Sequence, residues 1–293
     1  MPDTTTPRCR ARHSGLWAIE PHWLNVALAA YRNGSYPLVA FDDGEDAPRQ
    51  SIARITEDGI GIIQMSGPMT KGRSKFGGVD TVEARNLIRA FAADTNISAI
   101  VLNIDSPGGT VAGTDDLAHD VASAARTKPV IAQIDDEGAS AAYWIAAQAS
   151  AVYANPSAHV GSIGVYAVIE DSSEAAAAAG VKVHVISTGG MKGAMADGTP
   201  VTPEQLAYAQ ERVNAANAMF TDAIRKGRKM SASAVAKVND GRVWGAAESL
   251  SLGLIDGIQR MDDTLAMVRK DRKQRADAGR RNRAMAMGRI RTT

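Results

Sequence analysis

Between residues 59 and 154, four short apolar runs alternate with helix-forming stretches: Ile60–Ser66, Ala99–Ile104, Val130–Ile134 and Ala151–Ala154. Runs of this length that are mostly apolar, rather than alternating, suit strands buried on both faces. The segments between them have a different period. Over Thr81–Ala93, the side chains of Val82, Leu87, Ile88 and Phe91 fall on one helical face, and a second helix spans roughly Gly113–Arg126. Parallel neighbours need a crossover, usually a helix, so the alternation predicts βαβ units around a mainly parallel sheet. Sheets of this kind gather their loops at one rim, where sites tend to lie.

The rest of the chain is arranged around this core. Residues 1–58 read as an N-terminal appendage and linker: Leu16–Ile19, then Pro21, a short helix over Trp23–Tyr31, and an acidic, turn-rich connection at Asp42–Pro48. Trp17 and Trp23 are expected to dock on a neighbouring surface, without chemistry. The regular domain covers 59–260. After the fourth run come Gly161–Val165, an Ala-rich helix Glu170–Ala179, and a strand Val181–Ile186 that alternates valines with Lys182 and His184. A loop, Ser187–Gly198, leads to a long helix Thr202–Arg225 opened by Thr202-Pro-Glu-Gln. Residues 261–293 form a basic helix or tail. From Arg269 onward there are ten Arg and Lys against two Asp, so a formal net charge of +1 conceals an acidic body of −7 and a tail of +8.

Several classes are disfavoured. Cys9 is the only cysteine, which leaves no intramolecular disulfide and no cysteine metal site. No uncharged apolar run reaches the ~18 residues of a membrane helix, and the first ten residues lack the apolar core of a secretion signal. The expectation is therefore no membrane span, and nothing points to specific nucleic-acid binding. Aromatics make up only 5% of the chain, so Ala, Val, Ile and Leu must build the core.

Three loops carry chemistry. Glu137-Gly-Ala-Ser140 turns directly into the apolar run Ala141–Ala149, which puts Ser140 at a helix N-terminus, among unpaired N–H groups. A hydroxyl there can attack a carbonyl and leave the oxyanion beside ready donors; it can equally be a plain helix cap. Gly108-Gly109 follows a strand and lets backbone N–H groups approach a ligand, or is simply a Pro-Gly turn. Lys192 stands in a Gly-Gly-Met-Lys-Gly loop, either as a functional amine or as an exposed loop lysine.

Five ordered motifs decide between these readings. They are Asp105-Ser-Pro-Gly-Gly109, Ala139-Ser140 with Tyr143–Ala146, Ala154–Ser157 with Gly161–Val165, Ser187–Lys192, and Gly241–Ala246 with Leu252–Gly257. Over roughly residues 59–260 they resemble peptidase family S49, the signal peptide peptidase A family with its bacteriophage head-protease branch. The resemblance implies an α/β, Clp/crotonase-like fold of repeated ββα units, a Ser–Lys dyad and a homo-oligomeric ring. By motif, Ser140 is the nucleophile, Lys192 the general base and Ser162 the hydroxyl that orients the lysine. The oxyanion donors are the N–H groups of Gly109 (or Gly108) and Ala141. No metal or organic cofactor is needed. One departure stands out: many members have Gly-Gly where this chain has Ala141-Ala142, which narrows the site but keeps the Ala141 N–H.

The chemistry is coherent. A serine hydroxyl needs a base to take its proton, and a lysine serves only when neutral, its usual pKa of ~10.4 lowered by desolvation. His159 lies near the Ser162 motif and offers a competing Ser–His–Asp arrangement, and Lys182 is a second possible base. The expected function is a serine endopeptidase acting on protein or peptide substrates. A membrane signal peptide peptidase would bring an anchor, and Leu16–Pro21 is similar to phage and prophage head-maturation proteases. The setting is thus cleavage of capsid scaffold or portal proteins, in the cytoplasm of a bacterial host or inside proheads. The alternatives are a soluble signal-peptide-peptidase-like enzyme of the host, a crotonase-like acyl-CoA enzyme, and a non-catalytic assembly protein.

Overall fold

A computed structural model of the chain describes residues 15–21, 52–72 and 77–290, side chains of 276 and 279–290 excepted. In chain order the strands are β1 Trp17–Ile19, β2 Ala53–Ile55, β3 Ile60–Ser66, β4 Met69–Thr70, β5 Val79–Asp80, β6 Ala99–Ser106, β7 Gly108–Thr110, β8 Val130–Ala139, β9 Ala151–Ala154, β10 His159–Gly161, β11 Val243–Gly245 and β12 Gly257–Ile258. The helices are α1 Thr81–Ala93, α2 Thr114–Thr127, α3 Ala141–Ala146, α4 Ser173–Ala178, α5 Pro203–Gly227, α6 Ala232–Ala236, α7 Ala246–Ser251 and α8 Met261–Ile290. The helix expected over Trp23–Tyr31 and the linker at 42–48 lie outside the described residues.

The four apolar runs form β3, β6, β8 and β9, all parallel to one another in the main sheet. That sheet has the order β11-β10-β8-β6-β3-β2, with β9 beside β8 and β12 beside β9. A smaller sheet has the order β1-β7-β4-β5. Each early repeat runs a main-sheet strand, a short strand of the second sheet, then a helix: β3, β4–β5, α1 and again β6, β7, α2. This is the ββα repeat with a mainly parallel sheet.

Both faces of the main sheet are covered. On one, Ile63, Met65, Ile100, Leu102 and Ile104 meet α1, α2 and α3, while Gly61 leaves room for the Phe91 ring. On the other, Ile60, Ile62, Val101 and Ile131 meet Leu265 and Val268 of α8. The start of the basic C-terminal helix is therefore part of the core. Buried polar groups there are paired: Thr264 donates to Gln133 Oε1 (2.5 Å), and Gln133 Nε2 donates to the Gln259 carbonyl (3.1 Å).

β8 is ten residues long, twice the apolar run that announces it. Residues 131–134 pair with β9, and 137–139 pair with β10. Between them the register against β6 jumps from Ile104↔Ile134 to Ser106↔Gly138. This bulge carries Asp135–Glu137 and lets one strand change partners on its way to Ser140.

The strand expected over Val181–Ile186 does not form. A strand needs a ladder partner, and among the described residues none lies beside this segment. Val181, Val183 and Val185 are exposed, and Ile186 is 99% exposed.

Candidate active site

Ser140 is the single residue between β8 and α3. It has φ 53° and ψ −117°, and its side chain is only 1% exposed. A non-glycine residue at positive φ costs about 1–3 kcal/mol and persists only where its surroundings impose it. They do so here. The Ser140 N–H donates to the Gly161 carbonyl (2.8 Å), and its carbonyl accepts from the Trp144 N–H (2.9 Å). Helix α3 is rigidly seated: Trp144 stacks on Phe220 with centroids 4.6 Å apart, and Tyr143 donates to the Leu254 carbonyl at 2.7 Å. Burial pushes the Tyr143 phenol far above its usual range, so it remains a donor.

The Ser140 Oγ itself bonds to nothing among the described residues, and it caps no helix N–H. The capping alternative is thus not the arrangement found. A buried hydroxyl without a partner normally costs stability, and such an orphan calls for an explanation.

The glycine pair stands beside it. Gly108 has φ +96°, and a Cβ placed on it would lie 2.8 Å from the Ala141 nitrogen and 2.3 Å from the Ala18 carbonyl oxygen. Only a missing side chain leaves that space open. A Cβ on Gly109 would lie 1.8 Å from the Met69 carbonyl oxygen of β4. As the first residue of α3, Ala141 has an N–H with no partner inside the helix. Ser106, fully buried, orders the turn: it donates to the Gly67 carbonyl (2.7 Å) and accepts from the Gly108 N–H (3.2 Å). It stands within the quoted Asp105–Gly109 motif, but nothing in the sequence gives it this role.

Ser162 follows β10, whose register sets Gly161 against Ala139, so it stands next to Ser140 at the ends of adjacent parallel strands. It too has positive φ (50°), and its N–H donates to the Arg242 carbonyl at 2.7 Å. Asp105, at the other flank, has its carboxyl raised by burial and then by the charges of Asp136 and Asp135.

The structure thus gathers Ser140, Ser162, Gly108, Gly109 and Ala141. It does not bring Lys192 to them. Lys192 is exposed in a cleft with Val185, Ser187, Gly193 and Pro200, and among the described residues no amine lies within hydrogen-bonding distance of the Ser140 Oγ. Nor does His159 reach it: that residue is exposed at the start of β10, in register with Glu137. Lys182 is likewise exposed.

One element of the site went unread in the sequence. Strand β1 lies antiparallel on β7, in the register Trp17↔Thr110, Ala18↔Gly109 and Ile19↔Gly108. Its other edge bridges Tyr166: the Trp17 N–H donates to the Tyr166 carbonyl (2.9 Å) and the Tyr166 N–H donates back (3.0 Å). The available signal was a short apolar run, Leu16–Ile19, bounded by Gly15 and Pro21.

A model of peptidase family S49 matches residues 122–275. The chain is similar to capsid assembly protease C of Escherichia phage lambda, at 28% identity over 83% of this chain and 56% of that protein. It is similar to Protease 4 of Salmonella typhi, at 28% identity over 71% of this chain and 34% of that protein. It therefore spans from about a third to just over half the length of these relatives. Among solved structures it is similar to an enoyl-CoA hydratase/isomerase family member, at 14% identity, TM-score 0.47 and 75% coverage of each chain.

Proposed function

We propose, on the premise that this chain belongs to peptidase family S49, that it is a serine endopeptidase with Ser140 as its nucleophile. The observation that carries the reading is the Ser140 hydroxyl, buried and without a hydrogen-bond partner among the described residues, on a residue with strained backbone, one residue from a helix N–H and next to a glycine that lets the backbone approach the Ala141 nitrogen closely. In this reading Lys192 takes the Oγ proton as the oxygen attacks a peptide carbonyl carbon. The resulting oxyanion is held by the N–H groups of Ala141 and Gly109, since the alternative donor, the Gly108 N–H, is already given to Ser106 Oγ. Collapse expels the amine, which receives the proton from Lys192, and water then releases the acyl group by the same route. Ser162 orients the lysine.

The 187–200 loop must come over Ser140 for this to work. Assembly into a homo-oligomeric ring is part of the proposal, and the exposed valines of 181–186 support it, because they gain burial only against another surface. The substrates proposed are capsid scaffold or portal proteins. The match to a capsid assembly protease, at 28% identity over 83% of this chain, supports this. The Protease 4 match, of equal identity, favours a host peptidase as the second reading.

The test is peptide hydrolysis by S140A, K192A, the double variant and H159A. Each dyad variant should lose about 10⁴-fold or more in kcat, and the double variant should be hardly worse than either. A library should show preference for a small apolar residue at the acyl position. Activity retained in K192A and lost in H159A would replace the dyad with a histidine base.

A further inference from the structure

The two edges that flank Ser140 are already occupied. β7 supplies one edge and Tyr166 the other, and β1 runs between them with backbone groups bonded on both sides. Glu20 donates its N–H to the Pro107 carbonyl (2.7 Å), and the Val111 N–H donates to the Leu16 carbonyl (3.2 Å). Narrow and wide pairs alternate in an antiparallel ladder, so Ala18 and Gly109 form the hydrogen-bonded pair between these two. The Gly109 N–H therefore points at the Ala18 carbonyl. That carbonyl and the Ala141 nitrogen crowd the same point above the Gly108 Cα, 2.3 and 2.8 Å from it. Residues 16, 18 and 20 bond toward β7, and residue 17 bonds toward Tyr166. An extended peptide docked for cleavage needs the same things: a strand inserted between two edges, and one carbonyl directed at the oxyanion donors. Ala18 is 0% exposed and Ile19 is 4% exposed, so the segment is seated rather than laid across the surface.

We propose that residues 15–21 are an intrinsic inhibitory strap. They fill the peptide-binding cleft in the register of a substrate, with Ala18 in the acyl position. The inference rests on the peptidase reading and deepens it. It assigns Gly109, Val111 and Tyr166 as the backbone partners of a bound peptide, and a small side chain as the one accepted beside Ser140. It also makes the Gly109 N–H available to a substrate only once the strap has left. A segment of the same chain competes intramolecularly with a free substrate, so modest intrinsic affinity suffices to keep the cleft shut.

The test compares the full chain with A18R and with a chain lacking residues 1–21, two variants whose folding can fail independently. Two quantities are read: hydrogen-exchange protection of the Gly109, Val111 and Tyr166 amides, and the rate at which a fluorophosphonate modifies Ser140. The full chain should protect these amides and react slowly. Both variants should lose protection and react about tenfold faster or more, and a synthetic peptide of residues 14–21 should reverse both effects. Free exchange of these amides in the full chain overturns the strap. So does lost protection with no gain in rate, where the full chain itself is labelled. Ser140 unlabelled in all three forms, with protection lost as expected, contradicts the nucleophile assignment, and the inhibitory role falls with it.

Discussion

Ser140 and the two glycines beside it set the terms at the scale of single residues. Gly109→Ala puts a methyl group into the backbone of β4, with a carbonyl oxygen 1.8 Å away. It should cost about 1–3 kcal/mol in a denaturant melt, as overpacking does. Gly108→Ala adds positive-φ strain and fills the space next to the Ala141 N–H, so its loss of hydrolysis should exceed its loss of stability. Asp105 tests the electrostatics of the rim. Its carboxyl is raised by burial and then by Asp136 and Asp135, so the folded state is favoured at low pH and loses that preference as pH rises through the raised value. Asp105→Asn should raise the melting temperature at neutral pH and remove this dependence; an unchanged profile would contradict it. The tight turn at Ser140 was legible in Gly-Ala-Ser before an apolar run, because turn and helix are local in the chain. Tyr166 was not, because its role comes from a pairing with Trp17, far away in sequence.

Among the elements, β8 organises the site. Its apolar half was legible from five residues, but its continuation to Ala139 depends on β10 and a bulge, both long-range features. The reverse error occurred at Val181–Ile186, where valine alternation reads as a strand but no strand partner lies alongside among the described residues. The buried Gln133–Thr264 pair fastens α8 to the sheet, and Thr264→Val should cost about 1–3 kcal/mol by leaving Gln133 short of a donor. The strap has its own titration. Burial, then the Glu20 charge, pushes the Tyr166 phenol up to about 12. Stability from the neutral phenol is fully present below the ordinary tyrosine value of about 10 and is lost as pH rises toward about 12. Ultraviolet titration should show a late step near pH 12 that is absent from Y166F, and protection of the Val111 amide should fall across the same range.

At the scale of the whole molecule, the acidic body and the +8 C-terminal segment would make the proposed assembly sensitive to salt. Exposed charges are screened beyond about 8 Å at physiological ionic strength. Deleting 269–293 spares Leu265 and Val268, so hydrolysis of a short peptide should be unchanged. Light scattering should show weaker association, most visibly at low salt; identical masses at both salt concentrations would reduce the segment to a solvated end. Lys192 stands exposed and apart from Ser140 in the single chain, so the proposed dyad requires the proposed assembly to bring the two together. The central claim nevertheless concerns one oxygen atom, and the most direct measurement is to map a fluorophosphonate adduct by peptide mass spectrometry. With the strap removed, a single adduct on Ser140, absent from S140A, is the predicted result. An adduct on another residue, or none while the Gly109 amide exchanges freely, would contradict it.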